Sequence, residues 1–185
     1  WASVGKARPS DAAILELIGL PLSHIMETLG PEHDPEALSE VYSRAYVEAS
    51  AEHERLFEGI RELLARPFRA AVATGKSQRG AERVVNHFGL SDRFEVVLGG
   101  NSVPRPKPNP DLLFAIMEVV GTKDLVMIGD TTYDLEMACA AGVKGIGVSW
   151  GHHSRERLSP WAPVVESVGE LETLLSLMLK GLHTE

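Results

Sequence analysis

Two carboxylates four residues apart, Asp130 and Asp134, follow an apolar run over residues 125–128 and a glycine at 129. A magnesium ion takes oxygen ligands, usually one or two carboxylates completed by water and phosphate, and acids at the end of a strand and the start of a helix could supply part of that shell. Either acid could instead simply cap the helix expected from about Thr132. A second cluster, Thr74-Gly75-Lys76-Ser77, combines a hydroxyl, a glycine that lets backbone approach a ligand, and N–H groups opening a helix. Those features favour an oxyanion or a phosphate, against the plainer alternative of a helix cap. A Walker-type loop is excluded, because it needs a glycine where Ala70 stands. The third candidate is Lys107, set among prolines in "NSVPRPKPNPD". A solvated surface lysine is the ordinary expectation, but a stiffened backbone beside a strand end suits a fixed positive charge for phosphate or a carboxylate.

The elements around these residues alternate. "RAAVATG", "FEVVLGG", "LVMIGD" and "KGIGVSW" read as short strands. "SQRGAERVVNHFG", "NPDLLFAIMEVVG" (Asn109 as cap, Pro110 first), "YDLEMACAAG" and "VGELETLLSLMLKGL" read as helices. Short strands alternating with helices imply right-handed crossovers and a parallel sheet covered on both faces, with ligands beyond the carboxyl ends of the strands. Thr74, Lys107 and Asp130 all fall just after strands. The first sixty residues show no strand pattern. Ser10 is the expected cap of a helix ended by Gly19, "LPLSHIMETLG" makes another, and Asp34 with Pro35 opens a third that runs to about residue 53. "EGIRELLAR" is a further helix stopped at Pro67. The expected organisation is a helical unit over 1–56 and an α/β core over 57–185.

Composition narrows the function. The chain has 185 residues, 44% of them hydrophobic, enough for one α/β domain with a small insert. A net charge of −8 and a pI near 5.4 argue against a nucleic-acid partner, which wants a basic face. No apolar run approaches the roughly 18 to 20 residues of a membrane helix, and no signal peptide is visible. The one cysteine, Cys139, cannot form an internal disulfide, which fits a reducing, cytoplasmic setting; its place in "MACAAG" suggests a buried helix position. Adjacent histidines rarely face one ligand, so His152 and His153 in "GHHSRERL" are expected in a surface loop, with His152→Ala leaving turnover near normal.

Threonine after one strand, lysine after the next and Gly-Asp-x-x-x-Asp after the third resemble motifs II, III and IV of the haloacid dehalogenase superfamily. "VATGKS", "RPKPNPD" and "MIGDTTYDLEMACAAG" carry that resemblance, and the branch most similar is the phosphoglycolate phosphatase and β-phosphoglucomutase type. It implies a Rossmann-like parallel core with a small α-helical cap, in which "GLPL" at 19–22 is similar to a cap stretch facing substrate. It also implies a magnesium-dependent phosphohydrolase for a small phosphorylated metabolite, working through an aspartyl-phosphate. Thr74, Gly75 and Lys76 would bind phosphate, Lys107 would neutralise charge on nucleophile and phosphoryl group, Asp130 would hold the metal, and Asp134 would orient Lys107 or stand behind the metal. The family's first strand ends in D-x-D, and no D-x-D occurs in this chain. The chain begins at Trp1 and reads as lacking its true N-terminus, with the nucleophile and the first core strand upstream, between the strands ending at Thr74 and Asp130. As it stands, this form would be inactive. Alternatives are a phosphomutase, a dehalogenase of the same fold, or a non-catalytic binding relative.

Overall fold

The computed structural model describes residues 1–50 and 54–182 of the 185. After a 3-10 turn over Ala2–Val4 come α1 (Asp11–Leu17), α2 (Leu22–Leu29) and α3 (Pro35–Ser50). Ser10 caps α1, its hydroxyl accepting the Ala13 amide at 3.2 Å, and the chain reverses through Gly19 at φ 105°, a conformation side chains avoid. Gly30 closes α2 by donating its amide to the Met26 carbonyl, and the Trp1 ring lies against it. Asp34 accepts the Glu36 amide at 3.1 Å ahead of Pro35. The expected end of α3 near residue 53 falls outside the described residues.

The rest alternates. In order come α4 (Ile60–Leu64), β1 (Ala71–Ala73), α5 (Gln78–His87), β2 (Val96–Leu98), α6 (Asp111–Val120), β3 (Val126–Gly129), α7 (Thr132–Ala140), β4 (Lys144–Val148), α8 (Arg155–Leu158), β5 (Val164–Val165) and α9 (Val168–Leu182). All pairing is parallel. β1 pairs with β2, Ala71 opposite Val96; β3 pairs with β4, Val126 opposite Lys144, and β4 with β5, Gly147 opposite Val164. The strands form two sheets, β1-β2 and β3-β4-β5, so β1 and β3 are both edges.

Two apolar clusters hold the layers. Ile146 and Val148 of β4 pack with Val165, Leu171, Leu175 and Leu63 beneath α9 and α4. Gly145 and Gly147 alternate to the other face, where a side chain would press on Leu135, Ala162, Leu158 and Val164; their lack of one lets α7 and α8 sit close. The second cluster gathers Leu112, Leu113 and Ile116 of α6 with Met137, Ala138 and Val143, and reaches Ala71, Leu98 and Met127. It therefore touches both sheets.

Three local expectations are corrected. α6 begins at Asp111 with Pro110 as its cap, because Asn109 is committed to a turn, its amide and side chain both donating to the Pro106 carbonyl at 3.0 and 3.2 Å. Cys139 is exposed; the buried arc of α7 is Asp134, Leu135, Met137 and Ala138, and a 100° step carries residue 139 just past it. His153 is buried, 3% exposed, not a surface residue. Among the described residues no helix is long and apolar enough to cross a membrane.

Candidate functional site

The site is built around a buried ion pair. Lys107 and Asp134 are 7% and 4% exposed, and Lys107 Nζ donates to Asp134 Oδ1 at 2.5 Å. Lys107 comes from the proline-framed loop after β2, whose Lys107–Pro108 peptide is cis; Asp134 is in the first turn of α7. Asp134 Oδ2 accepts the Thr131 amide at 3.1 Å and the Thr131 hydroxyl at 2.8 Å. The Asp134 amide is in turn 3.4 Å from the Thr131 hydroxyl, which completes a reciprocal cap of α7. Capping and pairing, alternatives in the sequence, are thus both done by one carboxylate, which spends one oxygen on each. Gly129 is required beneath it, since a side chain there would meet Asp134 Cβ at 2.2 Å.

Asp130 lies at the carboxyl end of β3. Its Oδ2 accepts the His152 amide at 3.0 Å and faces His152 Nδ1 at 2.7 Å, while its carbonyl accepts the His153 amide at 3.0 Å. Sequence reasoning dismissed both histidines. His153 Nδ1 accepts the Thr132 amide at 2.9 Å, so it supplies a partner to the start of α7; burial holds its pKa below the ordinary imidazole value, which favours the neutral ring this bond requires. Gly151 permits this approach, since a side chain there would collide with Asp130 at 2.3 Å, but no sequence pattern signals it.

Thr74 lies at the end of β1, its amide donating to the Leu98 carbonyl at 3.0 Å and its hydroxyl accepting the Lys76 amide at 3.2 Å. Gln78 ties this loop to the end of β2, its Oε1 accepting the Gly99 amide at 2.8 Å and the Ser102 hydroxyl at 2.7 Å. The Lys76 ammonium turns towards α3, 3.2 Å from the Tyr46 hydroxyl and 4.5 Å from its ring centre. Tyr46 donates to Glu54, whose carboxylate takes two bonds from Arg83 at 2.6 and 3.1 Å.

Gly19 and Leu20 join the two loops. A side chain at Gly75 would meet the carbonyls of Gly19 and Leu20 at 2.7 and 2.8 Å, and one at Gly19 would meet the Thr131 hydroxyl at 2.8 Å. The turn between α1 and α2 therefore lies directly on both the Thr74 loop and the start of α7. Arg157 fixes α1 from outside, donating to both Glu16 carboxylate oxygens at 2.9 and 3.0 Å, and the Tyr133 hydroxyl donates to the Glu16 carbonyl at 2.9 Å.

Among the described residues no three of His, Cys, Asp and Glu cluster closely enough to enclose a cation. Asp134 is consumed by Lys107 and Thr131, whereas Asp130 keeps Oδ1 without a hydrogen-bond partner among the described residues. That donor set fits one carboxylate's share of a magnesium shell, the remainder coming from water, phosphate and a further acid.

Polar groups gathered at the carboxyl ends of parallel strands, with helices laid over them, define a Rossmann-like α/β scaffold. The profile of haloacid dehalogenase-like hydrolases matches residues 2–148, and the chain belongs to that family. It is 38% identical over 128 residues to "Probable phosphatase IndB" of Dickeya dadantii, covering 65% of this chain and 56% of that protein. It is 28% identical over 152 residues to phosphoglycolate phosphatase of Psychrobacter arcticus, covering 81% of this chain and 66% of that protein. The chain thus spans less than two thirds of the length of these relatives. A crystal structure described as a predicted phosphatase from Clostridium acetobutylicum superposes with a TM-score of 0.79 at 25% identity, over 94% of this chain and 85% of that one.

Proposed function

We propose that the protein is a phosphohydrolase acting on a small phosphorylated metabolite. The observation that carries the reading is the buried Lys107–Asp134 pair beside Asp130. A cation held out of water at a strand end is worth most where phosphoryl charge must be offset.

In this reading Thr74, with the amides of Gly75 and Lys76, holds phosphate oxygens. Lys107 faces the phosphoryl group and the attacking carboxylate, and Asp134 fixes Lys107 rather than touching substrate. Asp130 would hold magnesium, which when bound neutralises phosphate charge and orients the group for in-line attack. Residues 1–56 act as the cap and 57–185 as the core, and the contact of Gly19 and Leu20 with Gly75 and Thr131 supports a cap that shuts water out. The break between β1 and β3 is where a strand ending in D-x-D would dock. Its first aspartate would attack phosphorus as the ester P–O bond breaks and the second protonates the departing alcohol; water, deprotonated by that second aspartate, would then cleave the aspartyl-phosphate to release phosphate, so one hard displacement becomes two easier ones. A reducing, cytoplasmic setting suits a chain whose one cysteine is free.

The test is turnover of a panel of small phosphate esters by the full-length protein and by Lys107→Ala. Magnesium-dependent hydrolysis that falls about 10²-fold or more in the variant is expected. No turnover of any ester by the full-length protein, or full turnover by Lys107→Ala, would refute the reading.

A further inference from the structure

We infer that the turn after β4, residues 151–153, is a positioning element for Asp130, and that His152 fixes which oxygen of that carboxylate is presented to a ligand. The inference rests on the phosphohydrolase reading for its purpose, though not for its geometry. Gly151 lets the turn come against Asp130, where any side chain would collide at 2.3 Å. The His152 amide and ring both reach one oxygen, Oδ2, at 3.0 and 2.7 Å. His153 holds the Asp130 carbonyl through its own amide and the next residue but one, Thr132, through Nδ1. Two consecutive histidines thus make four polar contacts with one acid and the helix start behind it.

The chemistry of the carboxylate explains why this matters. The terminal torsion of an aspartate is broad and nearly two-fold, so an unrestrained carboxylate presents either oxygen and loses that freedom on binding a ligand. Two donors converging on Oδ2 remove the choice beforehand and leave Oδ1 open. Opposite a carboxylate, His152 Nδ1 carries the proton and donates. The His152 side chain is 47% exposed and is in no apolar cluster, so it can be replaced without unmaking the fold.

His152 is therefore a positioning residue, and its test separates orientation from function. His152→Ala removes the ring donor. His152→Asn returns an N–H at nearly the place of Nδ1. In the metal-free full-length protein, the Asp130 carboxyl carbon and the residue 152 amide proton report the contact by NMR. Both should move in His152→Ala, and the carboxyl carbon should return in His152→Asn. With Mn²⁺ alone as probe, followed by EPR, His152→Ala should bind about 10-fold more weakly, the lower bound for losing a group that orients a metal ligand, and His152→Asn should recover most of it. The magnesium concentration for half-maximal turnover should rise more than kcat falls. An Asp130 resonance unchanged in His152→Ala would overturn the positioning role, whatever the metal data. An Mn²⁺ affinity unaffected by Asp130→Asn would overturn the metal assignment instead, and the NMR comparison would still decide whether His152 orients Asp130.

Discussion

Replacing Lys107 by methionine keeps the volume of the side chain and removes its charge, leaving Asp134 without its cationic partner in a site where it is 4% exposed. The carboxylate retains the Thr131 amide and hydroxyl on Oδ2, but Oδ1 has no other donor among the described residues. Breaking a buried pair from one side costs about 3–5 kcal/mol. The two surviving bonds put this site at the lower end, about 3 kcal/mol. For a chain of this length each kcal/mol moves the melting temperature by about 2–4 °C, so Lys107→Met should melt about 6–12 °C lower. Asp134→Asn should cost at least as much, because it strands a buried ammonium. The double variant holds no unpaired charge and should recover about 2 kcal/mol of the summed losses, within the range seen for directly contacting pairs. Urea unfolding at pH 7, followed by circular dichroism, measures all four forms. Single losses below about 1 kcal/mol, as at an exposed pair, or losses additive within about 0.5 kcal/mol, would refute the description of Lys107 and Asp134 as one buried unit.

Asp130→Asn in the full-length protein should keep its melting temperature while magnesium binding by calorimetry and turnover both fall, the latter by about 10²-fold; full activity at low magnesium would remove Asp130 from the site. Glu54→Gln tests the junction of α3 with the core. The hydrogen bond from Arg83 holds the Glu54 pKa below its ordinary value, so its contribution is complete above the unfolded value of about 4.3 and disappears as pH falls through the lower folded value. Wild type should therefore melt above Glu54→Gln at pH 7, with the two curves converging only below about pH 4; a gap that persists in strong acid would show that charge is not its source.

The chain's alternation was legible because its signals are local. Apolar runs such as "LVMI", Ser10 as a cap, and glycines at 19, 30, 89 and 121 mark strands, starts and stops one after another. Thr74, Lys107 and Asp130 were legible as candidates for the same reason, each following a strand, and Asp134 by its spacing of four from Asp130 at the start of the next helix. Partnership was not legible from local pattern; the orienting of Lys107 by Asp134 came only as one of two roles that the family resemblance implies. Nothing in the spacing of Lys107 and Asp134, 27 residues apart, says that they share a bond, and nothing in "GHHSRERL" says that His152 turns back to an acid 22 residues earlier. β5, two residues long, carries too little pattern to be seen alone. Cys139 and Asn109 were misplaced by one residue of helical phase and by a competing turn, differences below what periodicity resolves.

The division of the strands into β1-β2 and β3-β4-β5 has a consequence for cooperativity. Among the described residues no backbone ladder joins the halves, so side-chain packing ties them, through the cluster in which Leu112, Leu113 and Ile116 of α6 meet Met137, Ala138 and Val143. The halves are unequal. β1 and β2 are three residues each and only partly buried, whereas β4 carries the fully enclosed Ile146. Opening free energies follow such differences in burial, so the β1-β2 half is the weaker folding unit, and the Thr74 loop belongs to it. The Asp130 loop belongs to the other. The two walls of the candidate site would thus be governed by separate local unfolding equilibria, and a strand seated between β1 and β3 would merge them into one.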